Sequence, residues 1–245
     1  MQTIKKDILD SLRKNILCLQ GLGIRPNSEY PVVPLGPLLN NMPGQVFPTG
    51  AIHEFLSPAP AMSAATSGFI MAIIHSLMQN GKPCLWVSTR RTVFPPALKI
   101  FGIDPERVIF IDATREKEAL WAIEEALRCE TLCAVIGEIK ELDFTQSRRL
   151  QLAVENSKVT GFVHRLYPHN IRPTACVARW QVQPWGSRQP DDLPGVGFPR
   201  WKVELLKIRN GRPGTWQLEW SGNTFHTVET PVQEKVSVTL KTDVA

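Results

Sequence analysis

No stretch of this chain approaches the roughly 20 apolar residues that a membrane span needs, and residues 1–7 carry no apolar core of the secretory kind. The five cysteines, Cys18, Cys84, Cys129, Cys133 and Cys176, are odd in number and irregularly spaced. Cys129 and Cys133 stand four apart, but they fall where a helix hands over to a strand, with no second pair nearby. Reduced, buried thiols are expected, not a disulfide framework or a zinc site. His53, His164 and His169 have no mutual metal-ligand spacing either, and Ser57, Ser63 and Cys84 have no neighbouring base that would make a nucleophile. These absences point to the cytoplasm, with no membrane contact, no metal and no cofactor. Charge is nearly balanced: 28 Lys and Arg against 23 Asp and Glu leave +5, with a pI near 9.0. That bias is compatible with nucleic acid or an acidic partner and is evidence for neither.

The most informative absence is a lysine. Residues 48–104 are laid out like a phosphate-binding βαβ unit. Thr49-Gly50 makes a turn, and a short strand covers 51–56. The loop Ser57-Pro58-Ala59-Pro60-Ala61-Met62 leads into a long helix through Gly68, Ile70, Ile73, Ile74, Leu77 and Met78. Asn80-Gly81 caps the helix, and a second strand covers 84–88. This layout cradles phosphate when the loop reads G-x-x-x-x-G-K-[ST]. Here no lysine lies between His53 and Lys82, and the helix entry offers only the hydroxyls of Ser63, Thr66 and Ser67.

With 43% apolar residues in 245, the chain has enough for one sizeable core. In residues 3–20, Ile4, Ile8, Leu12, Ile16 and Leu19 recur at helical spacing, which predicts an amphipathic helix stopped by Gly21 and Gly23. Pro26, Pro31, Pro34, Pro37 and Pro43 then rule out helix or central strand. The helix docks either on its own core or on another protein. Continuous apolar runs over 84–88, 108–111 and 132–136 predict buried parallel strands. Helices are expected over 97–101, 114–129 and 145–156, the last with Leu150, Leu152 and Ala153 inward, and a further strand over 161–164. The final third alternates: a strand over 175–182, a Pro- and Gly-rich loop over 184–199, then a hairpin of 202–209 and 215–221 around Asn210-Gly211-Arg212-Pro213-Gly214. Residues 227–245 have no apolar anchor and read as a disordered tail. The division is an arm and linker (1–45), a core (46–226) and a tail (227–245).

Several segments carry a resemblance. Gly81-Lys82-Pro83-Cys84-Leu85-Trp86-Val87 through Leu98-Lys99-Ile100-Phe101-Gly102-Ile103-Asp104 tracks the second strand and following helix of RecA without a gap. More particular are Phe47-Pro48-Thr49-Gly50-Ala51-Ile52-His53-Glu54, Ser147-Arg148-Arg149-Leu150-Gln151-Leu152-Ala153, Thr160-Gly161-Phe162, Ala178-Arg179-Trp180, Gly195-Val196-Gly197-Phe198-Pro199-Arg200-Trp201, and Val203-Glu204-Leu205-Leu206-Lys207 with Gly211-Arg212-Pro213-Gly214-Thr215-Trp216. Over about residues 46–222 the chain resembles the ImuA family, a RecA-like branch encoded beside bacterial translesion polymerases. The resemblance implies an α/β fold: a RecA-like core with a mostly parallel sheet flanked by helices, antiparallel C-terminal edge strands and an N-terminal helical arm.

It also implies a degenerate nucleotide loop at Ser57, Pro58, Met62 and Ser63. RecA's phosphate-loop lysine falls at about Ser63 and the preceding glycine at Met62. Its water-activating glutamate falls on Arg90, its magnesium-holding aspartate at Gly137 (Glu138 one step away), and its nucleotide-sensing glutamine at Arg165. Phosphoryl transfer needs cations against developing charge and a group to position the nucleophile, and an arginine cannot act as base. No ATP hydrolysis is expected. Backbone N–H groups at the helix start remain an anion site in principle, though Pro58 and Pro60 remove two donors. The stretches matching RecA's two DNA-binding loops, 139–144 and 166–174, are short. The implied role is a non-catalytic accessory subunit of an SOS-induced error-prone repair assembly. Its implied partners are an ImuB-like Y-family polymerase homologue, an error-prone DnaE-type polymerase and RecA as a further contact. A SulA-like inhibitor of cell division and a single-stranded DNA-binding module are the alternatives.

Among the arginines, Arg90 and Arg91 sit at a strand's C-terminal end, where doubly wound folds bind ligands. They either meet an anion or acidic partner or pair with Glu54 or Glu138. Arg148, Arg149 and Arg165 are further candidates for anion or partner contact, although arginines placed like Arg148 and Arg149 on a helix face are more often solvated surface. Seven tryptophans include five in the last third, interleaved with basic residues. Arg179, Trp180, Arg200, Trp201, Arg212 and Trp216, with Ile8 and Leu12 of the arm, are candidates for a partner interface. Core packing and base stacking are the competing readings for the tryptophans.

Overall fold

A computed structural model describes residues 12, 32–187 and 196–228 of the chain. Its centre is a sheet in the order β3-β2-β4-β5-β1-β6-β7-β8-β9. In chain order, β1 (Ile52–Ser57) leads into α1 (Pro60–Leu77), then β2 (Cys84–Ser88), β3 (Val108–Asp112), α2 (Glu116–Leu127), β4 (Ala134–Ile139), α3 (Phe144–Ser157) and β5 (Thr160–Leu166). β6 (Ala178–Trp185), β7 (Arg200–Ile208), β8 (Gly214–Ser221) and β9 (Thr224–Thr227) follow. Strands β1 to β6 pair in parallel, and β6 to β9 pair antiparallel. The fold is therefore α/β, mostly parallel, with an antiparallel C-terminal flank.

Side-chain alternation along the strands makes two cores. Phe55, Trp86, Ile136, Phe162, Trp180 and Val203 face α1. Ile52, Val87, Val135, Ile139 and Val163 face α2 and α3. β2 and β4 are buried along their whole length, which is why 84–88 and 132–136 read as apolar runs; β1 is equally buried although it carries His53, Glu54 and Ser57. β3 differs from the expected buried strand. It is the sheet's edge, and Ile109 is 48% exposed.

α1 is apolar nearly all round because it is enclosed by protein on most sides. By length and composition residues 60–80 reach membrane-span size, contrary to the expectation that none would, yet they pack here against the sheet. Gly68 lets two rings pack closely on the helix. A Cβ there would stand 3.2 Å from Phe101 Cζ and 3.3 Å from Trp201 Cζ2.

Packing into the core already starts at Val33, ahead of the linker boundary drawn at residue 45. Val33, Leu35, Leu38 and Met42 are buried, because the prolines start short 3-10 turns at Gly36–Asn41 and Pro43–Gln45. The β7–β8 turn holds this strap: Arg212 N donates to Asn41 O at 2.9 Å, and Asn41 Nδ2 donates to Pro213 O at 2.9 Å. β9, at the end of the expected core, was not foreseen as a strand and reaches one residue, Thr227, into the segment read as tail; its Phe225 packs on Phe69 and Trp220. Leu152, expected inward, is 49% exposed. Of the arm, Leu12 is exposed, while Ile8 and the rest of the predicted helix lie outside the described residues, as does the tail from 229.

Candidate functional site: the strand ends beneath α1

The C-terminal ends of β1, β2, β4 and β5 meet the start of α1. Only Pro58 and Ala59 separate β1 from α1, so the loop is shorter than the six residues the sequence suggests. Ser57 is the last residue of β1, while Met62 and Ser63 lie in the first turn of α1. Behind this turn lie buried polar groups. Ser57 Oγ is 2.8 Å from Thr66 Oγ1, and His164 Nε2 is 2.8 Å from Ser57 Oγ. Trp86 Nε1 donates to Glu138 Oε1 at 3.1 Å. Burial drives the His164 pKa down to about 3, so the ring is neutral. Burial raises Glu138 to about 7, partly offset by the hydrogen bond from Trp86 and by the Thr92 side chain nearby.

Strand alternation decides which residue of the Gly137-Glu138 pair faces this site. Gly137 turns to α2, where a Cβ would stand 2.2 Å from Ile123 Cδ1. Glu138 turns to α1, on the same face as Trp86 and Ile136. His53 lies deeper on that face, stacked on Phe47 at 4.4 Å. Its Nε2 donates to Pro48 O at 2.7 Å and its Nδ1 accepts from Trp180 Nε1 at 3.3 Å. Burial lowers its pKa to about 4.

An ionic cluster occupies the opposite face. Arg165, fully buried, donates to Glu54 Oε1 at 3.0 Å, Glu141 Oε2 at 2.8 Å, Asn170 O at 2.7 Å and Lys140 O at 3.1 Å. Arg179 donates to the other Glu54 oxygen at 2.8 Å and to Arg172 O at 2.6 Å; Thr174 Oγ1 donates to the same Glu54 oxygen at 2.7 Å. The cluster ties the loops after β4 and β5 to the sheet. It leaves Arg165 no exposed surface for an anion or a partner.

The remaining candidates scatter. Arg90 is exposed, and Arg91 pairs with Asp112 at 2.7 Å and lies over Phe110, so neither reaches Glu54 or Glu138. Arg148 and Arg149 are exposed on α3, and Arg149 bonds Glu124 at 2.6 Å. Trp180 and Trp201 belong to the core, at 0% and 3% exposure, so they present no surface to a partner. Trp216 is half-buried, Arg200 pairs with Glu219, and Arg212 is exposed. Cys84, Cys133 and Cys176 are buried free thiols, while Cys129 is exposed, against expectation. Among the described residues, no three His, Cys, Asp or Glu side chains gather as a metal site would need.

Two curated relatives, both called Protein ImuA, come from Caulobacter vibrioides strains NA1000/CB15N and ATCC 19089/CB 15. Each is 34% identical to this chain over 189 residues, covering 72% of the chain and 78% of the relative. The chain belongs to the ImuA family. No family model matches it.

Sequence reasoning missed the pairing of Ser57 with His164, 107 residues apart, and of Glu54 with Arg165 and Arg179. The one sequence signal available was the set of polar residues, Glu54, Glu138, His164 and Arg165, inside otherwise apolar strands. A groove of about 780 Å³ between α2 and α3 also went unforeseen. Its floor is Leu120, Ile139 and Leu142, and Trp121, 65% exposed, stands at its edge.

Proposed function

We propose that this ImuA-family chain is a non-catalytic, cytoplasmic accessory subunit of DNA-damage-induced, error-prone DNA synthesis. It retains a RecA-like fold and offers surfaces to protein partners, an ImuB-like polymerase homologue first, with a DnaE-type polymerase and RecA as further contacts. The observation that carries the reading is the closed strand end beneath α1. Two residues join β1 to α1, Ser63 stands where the resemblance puts the phosphate-binding lysine, and no lysine or arginine bonds Ser57, Thr66, Glu138 or His164 among the described residues. Phosphoryl transfer without a cation to take up charge has no support from this geometry. The exposed Trp121 at the α2–α3 groove favours partner docking there, tryptophan being enriched at interface hot spots.

Size-exclusion chromatography of the purified chain with the ImuB-like homologue from its own organism tests the reading. A stable co-eluting complex is expected. Separate elution at micromolar concentrations, together with inhibition of FtsZ assembly by this chain, would move the reading to a SulA-like division inhibitor.

A further inference from the structure

The buried polar groups beneath α1 lie in the order of the sheet. Trp86 is on β2, Glu138 on β4, His164 on β5 and Ser57 on β1, and Thr66 on α1 closes the end. These four strands are successive neighbours in the order β2-β4-β5-β1. Protein atoms make three of the four links: Trp86 to Glu138 at 3.1 Å, His164 to Ser57 at 2.8 Å, and Ser57 to Thr66 at 2.8 Å. The fourth would join Glu138 to His164, which are direct register partners on parallel strands. Glu138 Oε2 and His164 Nδ1 are also the two fully buried side-chain atoms without a protein partner among the described residues. The two partnerless atoms therefore belong to the two neighbouring side chains that no protein hydrogen bond joins.

We infer that Glu138 Oε2 and His164 Nδ1 together form a binding site for a single ordered water molecule, which completes a hydrogen-bonded belt across β2, β4, β5 and β1 to α1. Water suits the site for three reasons. Adjacent strands lie about 4.8 Å apart, a spacing at which one small molecule can bridge side chains of the same face. Water both donates and accepts, so it serves either tautomer of His164 and either protonation state of Glu138. Immobilising one water costs less than leaving two buried polar groups unbonded. A metal ion is disfavoured, because among the described residues no third carboxylate, thiol or imidazole gathers with this pair.

The test is a crystal structure of the full chain at about 1.5 Å resolution. The expected result is one peak of water density within roughly 2.7–3.2 Å of both atoms. A direct Glu138–His164 hydrogen bond, no density, or a peak with the short contacts of a metal ion would overturn the inference. A double-mutant cycle in denaturant at pH 7 tests it independently of crystals. His164→Phe should raise the unfolding equilibrium constant about tenfold less in a Glu138→Leu background than in the native one. Additive effects would overturn it.

Discussion

His164 and Glu138 face the same core, and burial moves their pKa values in opposite directions, giving stability two opposed pH limbs. His53 and His164 stay neutral in the fold down to about pH 4 and about pH 3, whereas in the unfolded chain they take protons near 6.5. Their contribution is complete above pH 6.5 and is lost as pH falls. The Glu138 carboxyl, ionising near 4.5 when unfolded, keeps its proton to about pH 7 in the fold. Its contribution is greatest below 4.5 and is lost as pH rises to about 7. Thermal melts should therefore show maximal stability near pH 6.5, within the limits of these three groups. Glu138→Gln should raise Tm at pH 8 and leave it almost unchanged at pH 4; an equal effect at both would contradict the assignment. On the other face, Arg165→Met leaves Glu54 buried with half its ionic support. It should cost about 3–5 kcal/mol in urea unfolding, while Arg148→Met, exposed and without an ion pair among the described residues, should cost little. Arg165 shows what the sequence hides. Its partner Glu54 stands 111 positions away, and no periodicity links two such residues. Only the polar interruption of each apolar strand was visible.

At the scale of elements, the parallel strands and their helices were legible because both follow from burial pattern. The hairpin followed from its Asn-Gly turn, where Asn210 adopts φ 58°. The strap over 33–45 and the strand β9 were not legible, since both are short and take their apolar contacts from distant residues. The strap's anchorage is tested at Gly211, where a Cβ would stand 2.4 Å from Asn41 O, a backbone atom that cannot swing aside. Gly211→Ala should destabilise by roughly 1–3 kcal/mol; an unchanged Tm would mean that the strap is free to move. The α2–α3 groove carries a separate expectation. Trp121→Ala should weaken the proposed complex with the ImuB-like homologue at least tenfold, on the order of an interface hot spot, and leave the melting curve alone. Unchanged affinity would remove the groove from the docking surface.

For the whole molecule, the resemblance located the family, and the curated relatives agree over 72% of the chain. Of the candidate site, the absent lysine was readable in the sequence, whereas the two-residue join and the polar belt beneath α1 were not, because they depend on how four strand ends converge. The proposal that this fold acts without nucleotide chemistry is open to one direct measurement, phosphate release by the purified chain in magnesium and ATP, with and without single-stranded DNA. The account predicts a rate indistinguishable from buffer in both conditions. Turnover stimulated by DNA and abolished by Glu138→Gln would contradict it.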